Sequence, residues 1–384
     1  MGNLGCNLTS IAWMILATSE TTWLGAAKGA GVPKTTTIIT LYGRYVSDTG
    51  KGDSYLSELM RIRIHGTDEN NVANHVQVIL KSIPKSIARR LTFRSHEFFQ
   101  NEIVFYEKVL PALLDFQSTK NVKDPFDKYT KMFFSFCDGT NDVLCLEDAS
   151  LYQFGSAVRQ EGIDLKHCKL TFKILAQFHA LSFAMKDQKP EEFGKLKTHL
   201  TEVYYHDRLW DWYTRFWKRI SGIAIDAVEK EYPDSIYVEK VKEFAVPERY
   251  QNMIDAATKT DETGVISHGD SWTNNFLYKY VGGSPVDAKI IDFQLARCAT
   301  PVLDLSFMVY ACTSQDLREK HYDELLKYYY EILSTQVRDL GSDPDKGDKG
   351  MNIEDVWQVG PFKTKEGRLR EANNVKHCVD RGYI

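Results

Sequence analysis

Three polar residues in the last third of the chain stand at spacings that suit one kind of chemistry. In His268-Gly269-Asp270-Ser271-Trp272-Thr273-Asn274-Asn275, a carboxylate and an amide lie five positions apart. This is the Asp-x-x-x-x-Asn spacing in which an aspartate takes the proton of an attacking hydroxyl and an asparagine holds a metal during phosphoryl transfer. A second carboxylate follows in Ile290-Ile291-Asp292-Phe293. Two strand-like runs, Phe276–Tyr280 and Asp287–Ile291, separate Asn275 from Asp292 around a Gly282-Gly283 turn. A hairpin returns the chain to near its start, so it would set Asp292 beside Asn275, where two oxygen ligands suit Mg2+. Asp270 would then orient an acceptor hydroxyl and accept its proton. Singly, an Asp after a Gly is an ordinary turn residue and Asp-Phe dipeptides are common. The spacing and the intervening hairpin together favour function.

Upstream residues complete the set. Lys81 ends an apolar strand pattern, where a lysine commonly does no more than solubilise an edge. Glu102 falls inside the apolar stripe of a helix, between Phe99 and Ile103/Tyr106, where an unpartnered carboxylate would be costly to bury. A Lys81–Glu102 ion pair supplies the partner, and such a strand-lysine and helix-glutamate pair holds the α/β-phosphates of ATP in kinases. Gly50-Lys51-Gly52-Asp53-Ser54, with Gly52 and Ser54 as the candidate phosphate contacts, could fold over phosphates through its N–H groups, although two glycines also mark plain turns. The end of Leu144-Cys145-Leu146-Glu147-Asp148-Ala149 would place backbone at Glu147 and Ala149 against adenine, or be a simple strand end. His179 reads as a core histidine on a helix face. Asp304 reads as a helix cap or a support for the catalytic loop. Trp210, Trp212, Tyr213, Phe216 and Trp217 fit an acceptor pocket and ordinary helix packing equally well.

Elements must exist to position these residues. Leu59–Ile64 and Val76–Lys81 read as strands, the latter with Val76, Val78 and Leu80 on one face. Phe99, Ile103, Tyr106, Leu110 and Leu113 give a helical stripe from about Ser95 to Leu114. Met132–Phe136 and Val143–Leu146 form a hairpin around Asp138-Gly139. After Asp148 the pattern turns helical: Leu165–Ala184, Tyr204–Ile223, Leu303–Thr313 and Glu319–Leu333, interrupted by the small hairpin after Asn275. Residues 1–38 and the polar segment from Ser342 onward give no element, and no internal repeat is visible.

Composition narrows the function classes. The chain has 384 residues, 43% hydrophobic and 26% charged, ordinary for a globular protein. Lys and Arg number 48 against 52 Asp and Glu, a net charge of −4, so the basic excess of a nucleic-acid binder is missing. The seven cysteines are odd in number, widely spaced and without C-x-x-C, which argues against a disulfide framework or a cysteine zinc site and for a reducing, cytoplasmic setting. No run approaches the roughly 18 apolar residues of a membrane span. The short apolar run Ile11–Ala17 lacks a basic flank, and Cys6 stands where a myristoylation motif needs Ser or Thr. Twenty Phe, 20 Tyr and 7 Trp are compatible with a pocket for an apolar ligand.

With these residues in view, the chain resembles the ecdysteroid kinase-like (CHK kinase-like) family, relatives of choline kinases and aminoglycoside phosphotransferases. HGDSWTNN, IIDFQ, PVLDLSFMVY, GKGDSYLSELMRI, EFFQNEIVFYEKVLP, LCLEDA and ILAQFHALSFA carry the resemblance, over roughly residues 38–340. It implies an α+β, bilobal protein-kinase-like fold: a small antiparallel β-sheet N-lobe with one key helix over residues 38–148 and a larger, mainly helical C-lobe over 149–341. Residues 1–37 and 342–384 stay unassigned. The resemblance further implies ATP-dependent, Mg2+-dependent phosphorylation of a small-molecule alcohol, ecdysteroid- or xenobiotic-like. Asp270 is then the base, Asn275 and Asp292 are the metal ligands, and Lys81 with Glu102 is the phosphate anchor. The alternatives are a catalytically inactive kinase-fold ligand-binding protein and a choline- or ethanolamine-type kinase. A protein kinase fits poorly: the metal motif reads Asp-Phe-Gln, Gly269 replaces the arginine of H-R-D, no A-P-E follows, and only twelve positions separate Asp292 from Asp304. The sequence names no partner beyond the small-molecule substrate and fixes no oligomeric state.

Overall fold

Alternation of apolar residues along the first strands, and helical periodicity after them, sort the chain into two compact units. Unit 1 comprises residues 1–103 and 129–153, and unit 2 comprises residues 104–128 and 154–384. The computed structural model describes residues 37–45, 57–67, 73–157, 162–258, 263–344, 346 and 365–381. The candidate phosphate contacts Gly52 and Ser54 lie outside the described residues.

Unit 1 is built on an antiparallel sheet of five strands: β1 (Thr37–Tyr45), β2 (Glu58–Thr67), β3 (Ala73–Ser82), β4 (Met132–Phe136) and β5 (Val143–Glu147), in the order β1-β2-β3-β5-β4. Ile62, Val78, Leu80 and Val143 make the core of one face. The loop between β4 and β5 closes on itself, because Asp142 Oδ1 accepts from the N–H groups of Asp138 and Gly139. Two helices follow β3. The first, α1 (Ile87–Phe93), is capped by Ser86 and has no buried residue. The second, α2 (Ser95–Val104), buries Phe98, Phe99, Glu102 and Ile103.

The stripe that predicts one helix from Ser95 to Leu114 is interrupted. A π-helical turn, Phe105–Val109, separates α2 from α3 (Leu110–Ser118), and Leu110 N–H reaches back five residues to the Phe105 carbonyl. Pro111 gives the physical reason. It has no N–H to donate and its ring crowds the carbonyl four residues earlier, so the turn ahead of it widens.

Unit 2 is mainly helical. Its long helices are α4 (Leu165–Gln188), capped by the Asp164 carboxylate on His167 N–H, and α10 (Gln315–Asp339), capped by Ser314 on Leu317 N–H. Between them come α5 (Pro190–Lys197), α6 (Trp210–Glu231), α7 (Ile236–Phe244), α8 (Glu248–Thr258) and α9 (Val302–Cys312). α9 is largely apolar and almost wholly buried, with Asp304 and Ser306 inside as well. Two small sheets carry the loops of interest. β6 (Phe154–Ser156), β8 (Phe276–Val281) and β9 (Ser284–Ile290) form one, and β7 (Val265–Ser267) with β10 (Arg297–Ala299) the other.

Two further expectations are corrected. The helix expected from Tyr204 begins instead at Trp210 and runs to Glu231. The Glu202 carboxylate takes the N–H groups of Tyr204 and Tyr205, at 2.6 and 2.5 Å, and holds that stretch out of the helix. The segment after Ser342, read as featureless, contains α11 (Lys365–Asp380). It buries Ala372, Val375 and Cys378 together with the polar Asn374 and His377, so two of these five buried residues are polar and the apolar stripe is broken. The six described cysteines are free thiols.

Candidate active site

In unit 1, β3 brings Lys81 to its inner end and α2 brings Glu102 opposite. Both side chains are buried, and Lys81 Nζ meets Glu102 Oε2 at 2.6 Å. The lysine is therefore not a solvated edge residue. Each charge is stabilised inside the unit by the other, as burial of either demands. At the end of β5, Glu147 N–H is used by the Lys131 carbonyl at 2.8 Å. Ala149 opens a 3-10 turn, Ala149–Tyr152, capped by the Asp148 side chain on Ser150 N–H. The first N–H groups of such a turn have no partner within it.

Asp148, which the sequence suggests only as a boundary, is the anchor of this stretch. It is buried, and it accepts from Arg61 Nε at 2.6 Å, Gln77 Nε2 at 2.8 Å and the Ser150 hydroxyl at 2.7 Å. Burial raises its pKa, but the hydrogen bonds from Ser150, Arg61 and Gln77 outweigh this and hold the carboxyl below its usual range. An Asp directly after a strand and before a turn is the local signal that marks it.

In unit 2, the catalytic-loop candidates lie between β7 and β8. Asn275 is buried, and its Nδ2 donates to the Asp270 carboxylate at 2.9 Å and to the Asp270 carbonyl at 2.8 Å. The β8–β9 hairpin pairs Phe276 with Ile290, and Ile291 N–H donates to the Asn275 carbonyl at 2.9 Å. The hairpin thus brings Ile291, the residue before Asp292, onto Asn275. Asp292 itself has φ +67°, a left-handed conformation uncommon for a non-glycine residue and one that clusters at functional sites.

Phe293 fixes the other side of Asp292. It is fully buried and stacks on Phe105 of the π turn at 4.0 Å between centroids. Tyr106, Phe178 and His268 meet it edge-on. Aromatic pairs in these arrangements contribute beyond their burial.

The loop before Asp270 is held from below by a chain of hydrogen bonds. Asp304 accepts the N–H of His268 at 2.7 Å and of Gly269 at 2.8 Å. The Ser271 hydroxyl donates to the Asp304 carbonyl at 2.6 Å. His179 Nε2 lies 3.1 Å from the Asp304 carboxylate and its Nδ1 lies 2.8 Å from the Tyr329 hydroxyl. Burial raises the pKa of Asp304, but the hydrogen bonds from His179 and from the His268 N–H bring it below the usual carboxylate range. Burial pushes the Tyr329 hydroxyl well above its usual value. Tyr329 therefore donates, His179 accepts at Nδ1 and donates from Nε2, and Asp304 accepts. His179 is a satisfied core histidine, and what it satisfies is the support of the loop.

His268 links the loop to the Asp292 segment. Its Nδ1 accepts from Asp270 N–H at 3.2 Å, and its Nε2 donates to the Ile291 carbonyl at 2.8 Å. That pair of partners requires the neutral Nε2–H ring. Burial lowers the His268 pKa against the opposing charge of Asp304, which favours that form.

The donor set suits a hard cation. The Asn275 amide, oriented through its nitrogen, leaves its Oδ1 as an oxygen ligand, and Asp292 adds a carboxylate. Among the described residues no group of three or more His, Cys, Asp or Glu could hold a metal. A magnesium ion held by one amide and one carboxylate, with phosphate oxygens completing its shell, fits that composition.

The aromatic run divides. Tyr213 and Trp217 are buried in a cluster with Tyr205, Tyr250, Met253 and Leu303, and Trp217 Nε1 donates to the Val246 carbonyl. Trp212 is 52% exposed and stacks on Phe216 at 5.4 Å. Sequence reasoning missed Arg297 and Glu202, a buried ion pair at 2.9 Å. Arg297 lies on a three-residue strand and Glu202 in a loop, so no periodic pattern marks either.

The two units together make a mixed α+β fold. The sequence model of the ecdysteroid kinase-like family matches residues 51–342, and the chain belongs to that family. Membership places it among kinase-like, small-molecule phosphotransferases. No curated protein sequence matches the chain. Among solved structures, it is similar to an ethanolamine kinase of Plasmodium vivax, at 13% identity with TM-score 0.38, covering 90% of this chain and 83% of that one. It is also similar to the GDP complex of a point mutant of an aminoglycoside 2'-phosphotransferase-IIIa, at 13% identity with TM-score 0.41, covering 91% and 95%. A GDP and kanamycin complex of APH(2")-IIia matches at 16% identity with TM-score 0.36, covering 78% and 84%. Among the described residues, no helix is long and apolar enough to cross a membrane.

Proposed function

We propose that this protein transfers the γ-phosphoryl group of ATP to a hydroxyl of a small, largely apolar molecule, of ecdysteroid or xenobiotic type. The observation that carries the reading is the Asp270–Asn275 hydrogen bond, at 2.9 Å, on a loop whose Asn275 carbonyl is tied to Ile291, one residue before Asp292. In this reading Asp270 aligns the acceptor hydroxyl and accepts its proton, leaving the oxygen free to attack phosphorus in line. Lys81, held extended by Glu102, binds the nucleotide phosphates as a fixed point charge. Asn275 and Asp292 would hold Mg2+, which when bound neutralises charge on the phosphate oxygens. The backbone at Glu147 and Ala149 contacts adenine, at the strand end fixed by Asp148.

The test is a two-part measurement on the full chain. Thermal stability with and without Mg·ATP reads nucleotide binding, where a ligand at about 100 times its Kd adds about 2.7 kcal/mol. ATP-dependent phosphorylation of a panel of steroids, plant glycosides and amino alcohols reads the acceptor. A nucleotide shift with phosphorylation of the apolar alcohols supports the reading. A nucleotide shift with amino alcohols alone phosphorylated makes it a choline- or ethanolamine-type kinase. No shift at saturating nucleotide makes it an inactive ligand-binding protein on the same fold.

A further inference from the structure

Arg297 is buried within unit 2, and its guanidinium is engaged by one ion pair and two backbone carbonyls. Nη1 lies 2.9 Å from Glu202 Oε2, Nη2 donates to the Gly269 carbonyl at 3.2 Å, and Nε donates to the Leu295 carbonyl at 3.1 Å. The guanidinium carbon also sits 5.5 Å from the centre of the Tyr205 ring. Glu202 divides its two oxygens between an ion pair and two backbone N–H groups. Its Oε2 faces Arg297, while its Oε1 accepts from the N–H groups of both Tyr204 and Tyr205. Those two tyrosines join the aromatic cluster, with Tyr204 4.8 Å from Tyr213 and Tyr205 6.3 Å from Tyr250.

The bond to Gly269 falls at a telling place. The peptide between Gly269 and Asp270 sets the direction of the Asp270 side chain. Gly269 N–H is held by Asp304, Asp270 N–H by His268, and the remaining carbonyl by Arg297. A side chain at position 269 is excluded, since a Cβ there would lie 2.0 Å from the Leu295 carbonyl oxygen and 2.9 Å from Arg297 Nη2. The arginine thus reaches the loop from the strand that follows the Asp292 segment, and its negative partner is an internal carboxylate. No added phosphate is needed to hold it there.

We propose that Arg297 and Glu202 form a positioning pair that couples the Tyr204–Tyr205 segment to the loop carrying Asp270, so that the aromatic cluster and the candidate base keep one relative setting. The functional half of this inference rests on the phosphotransferase reading, and the coupling itself does not. Glu202→Gln separates the two duties of the carboxylate. Its carbonyl oxygen still accepts from Tyr204 and Tyr205, but an uncharged amide now faces Nη1.

The experiment is amide hydrogen exchange by mass spectrometry on the full-length protein and on Glu202→Gln, Arg297→Lys and Arg297→Met. The expected result is exchange about tenfold faster in peptides spanning 268–275 for Glu202→Gln, with peptides from β8 and β9 unchanged. Arg297→Met should accelerate both 202–205 and 268–275, and Arg297→Lys should restore part of the protection. Unchanged exchange at 268–275 in Glu202→Gln would overturn the coupling. So would uniform acceleration throughout unit 2, which marks a merely structural pair. Exchange needs no turnover, so a failure here leaves the phosphotransferase reading standing. Absence of ATP-dependent activity likewise leaves the coupling standing.

Discussion

Asn275 donates one hydrogen of its amide to the carboxylate of Asp270 and approaches the carbonyl of the same residue, at 2.9 and 2.8 Å. The proposed base and the proposed metal ligand are therefore one hydrogen-bonded unit. Asp270→Asn keeps an oxygen for Asn275 and removes only the proton acceptor. Turnover should fall by about 10²- to 10⁴-fold, while the thermal shift with Mg·ATP persists. Wild-type turnover in that variant removes Asp270 from the mechanism. Asn275→Asp sets a like charge at this distance and should raise the Asp270 pKa, moving the acid limb of the rate profile to higher pH.

The Lys81–Glu102 pair tests the other unit. Both residues are buried, so removing one partner takes a 2.6 Å ion pair away from a charge held inside the unit. Glu102→Gln should cost about 3–5 kcal/mol in urea unfolding. Lys81→Met combined with Glu102→Gln should recover much of that loss, because no net charge then remains inside. The double variant should nevertheless lose the stabilisation by Mg·ATP. Retained nucleotide stabilisation in it would show that Lys81 does not bind phosphates.

What could be read from the sequence follows from how far each signal reaches along the chain. Strand β3, the β8–β9 hairpin and the Asp270–Asn275 spacing are local patterns, and the structure has them where expected. Glu102 was legible because a carboxylate in an apolar stripe demands a buried partner. Arg297 and Glu202 were not, since their meeting depends on a loop and a short strand whose approach no periodicity encodes. The π turn at Phe105–Val109 hides under an intact apolar stripe, and only Pro111 betrays it. Helix α11 escaped because its buried face mixes Ala372, Val375 and Cys378 with polar Asn374 and His377, and hydrogen bonds also hold it: Asn374 Nδ2 donates to the Tyr310 carbonyl, and Tyr232 bonds to Asn373.

Two glycines with the same φ of +80° should respond differently to alanine. At Gly139 the added Cβ would meet nothing nearer than His96 Cε1, at 3.6 Å, so the cost is the left-handed backbone alone, about 1–2 kcal/mol. At Gly269 the Cβ would collide with the Leu295 carbonyl oxygen at 2.0 Å, and backbone cannot move aside cheaply. Gly269→Ala should cost at least about 3 kcal/mol, the range of the severe steric mechanisms. Equal losses for the two variants in chemical denaturation would mean that the Leu295 carbonyl is free to shift.

His377 sets an acid limit on stability. It is buried on α11, its ring 5.1 Å from Tyr322 and 5.8 Å from Tyr310. Burial, with the charges of Arg318 and Arg381 added, pushes its pKa down to about 4 from an ordinary value near 6.5. A depressed folded-state pKa means that the unfolded chain binds the extra proton first. Above pH 6.5 the ring is neutral in both states and costs nothing. As pH falls from 6.5 through about 4, the unfolded state gains a proton that the folded state resists, and stability declines. His268, lowered chiefly by burial, adds to the same limb. His377→Gln cannot take up the proton, so its stability should fall less steeply over this range, read as the urea midpoint at half-unit pH steps. Parallel curves for the variant and the parent would show that His377 is already solvated in the folded chain, and the slope would then belong to His268.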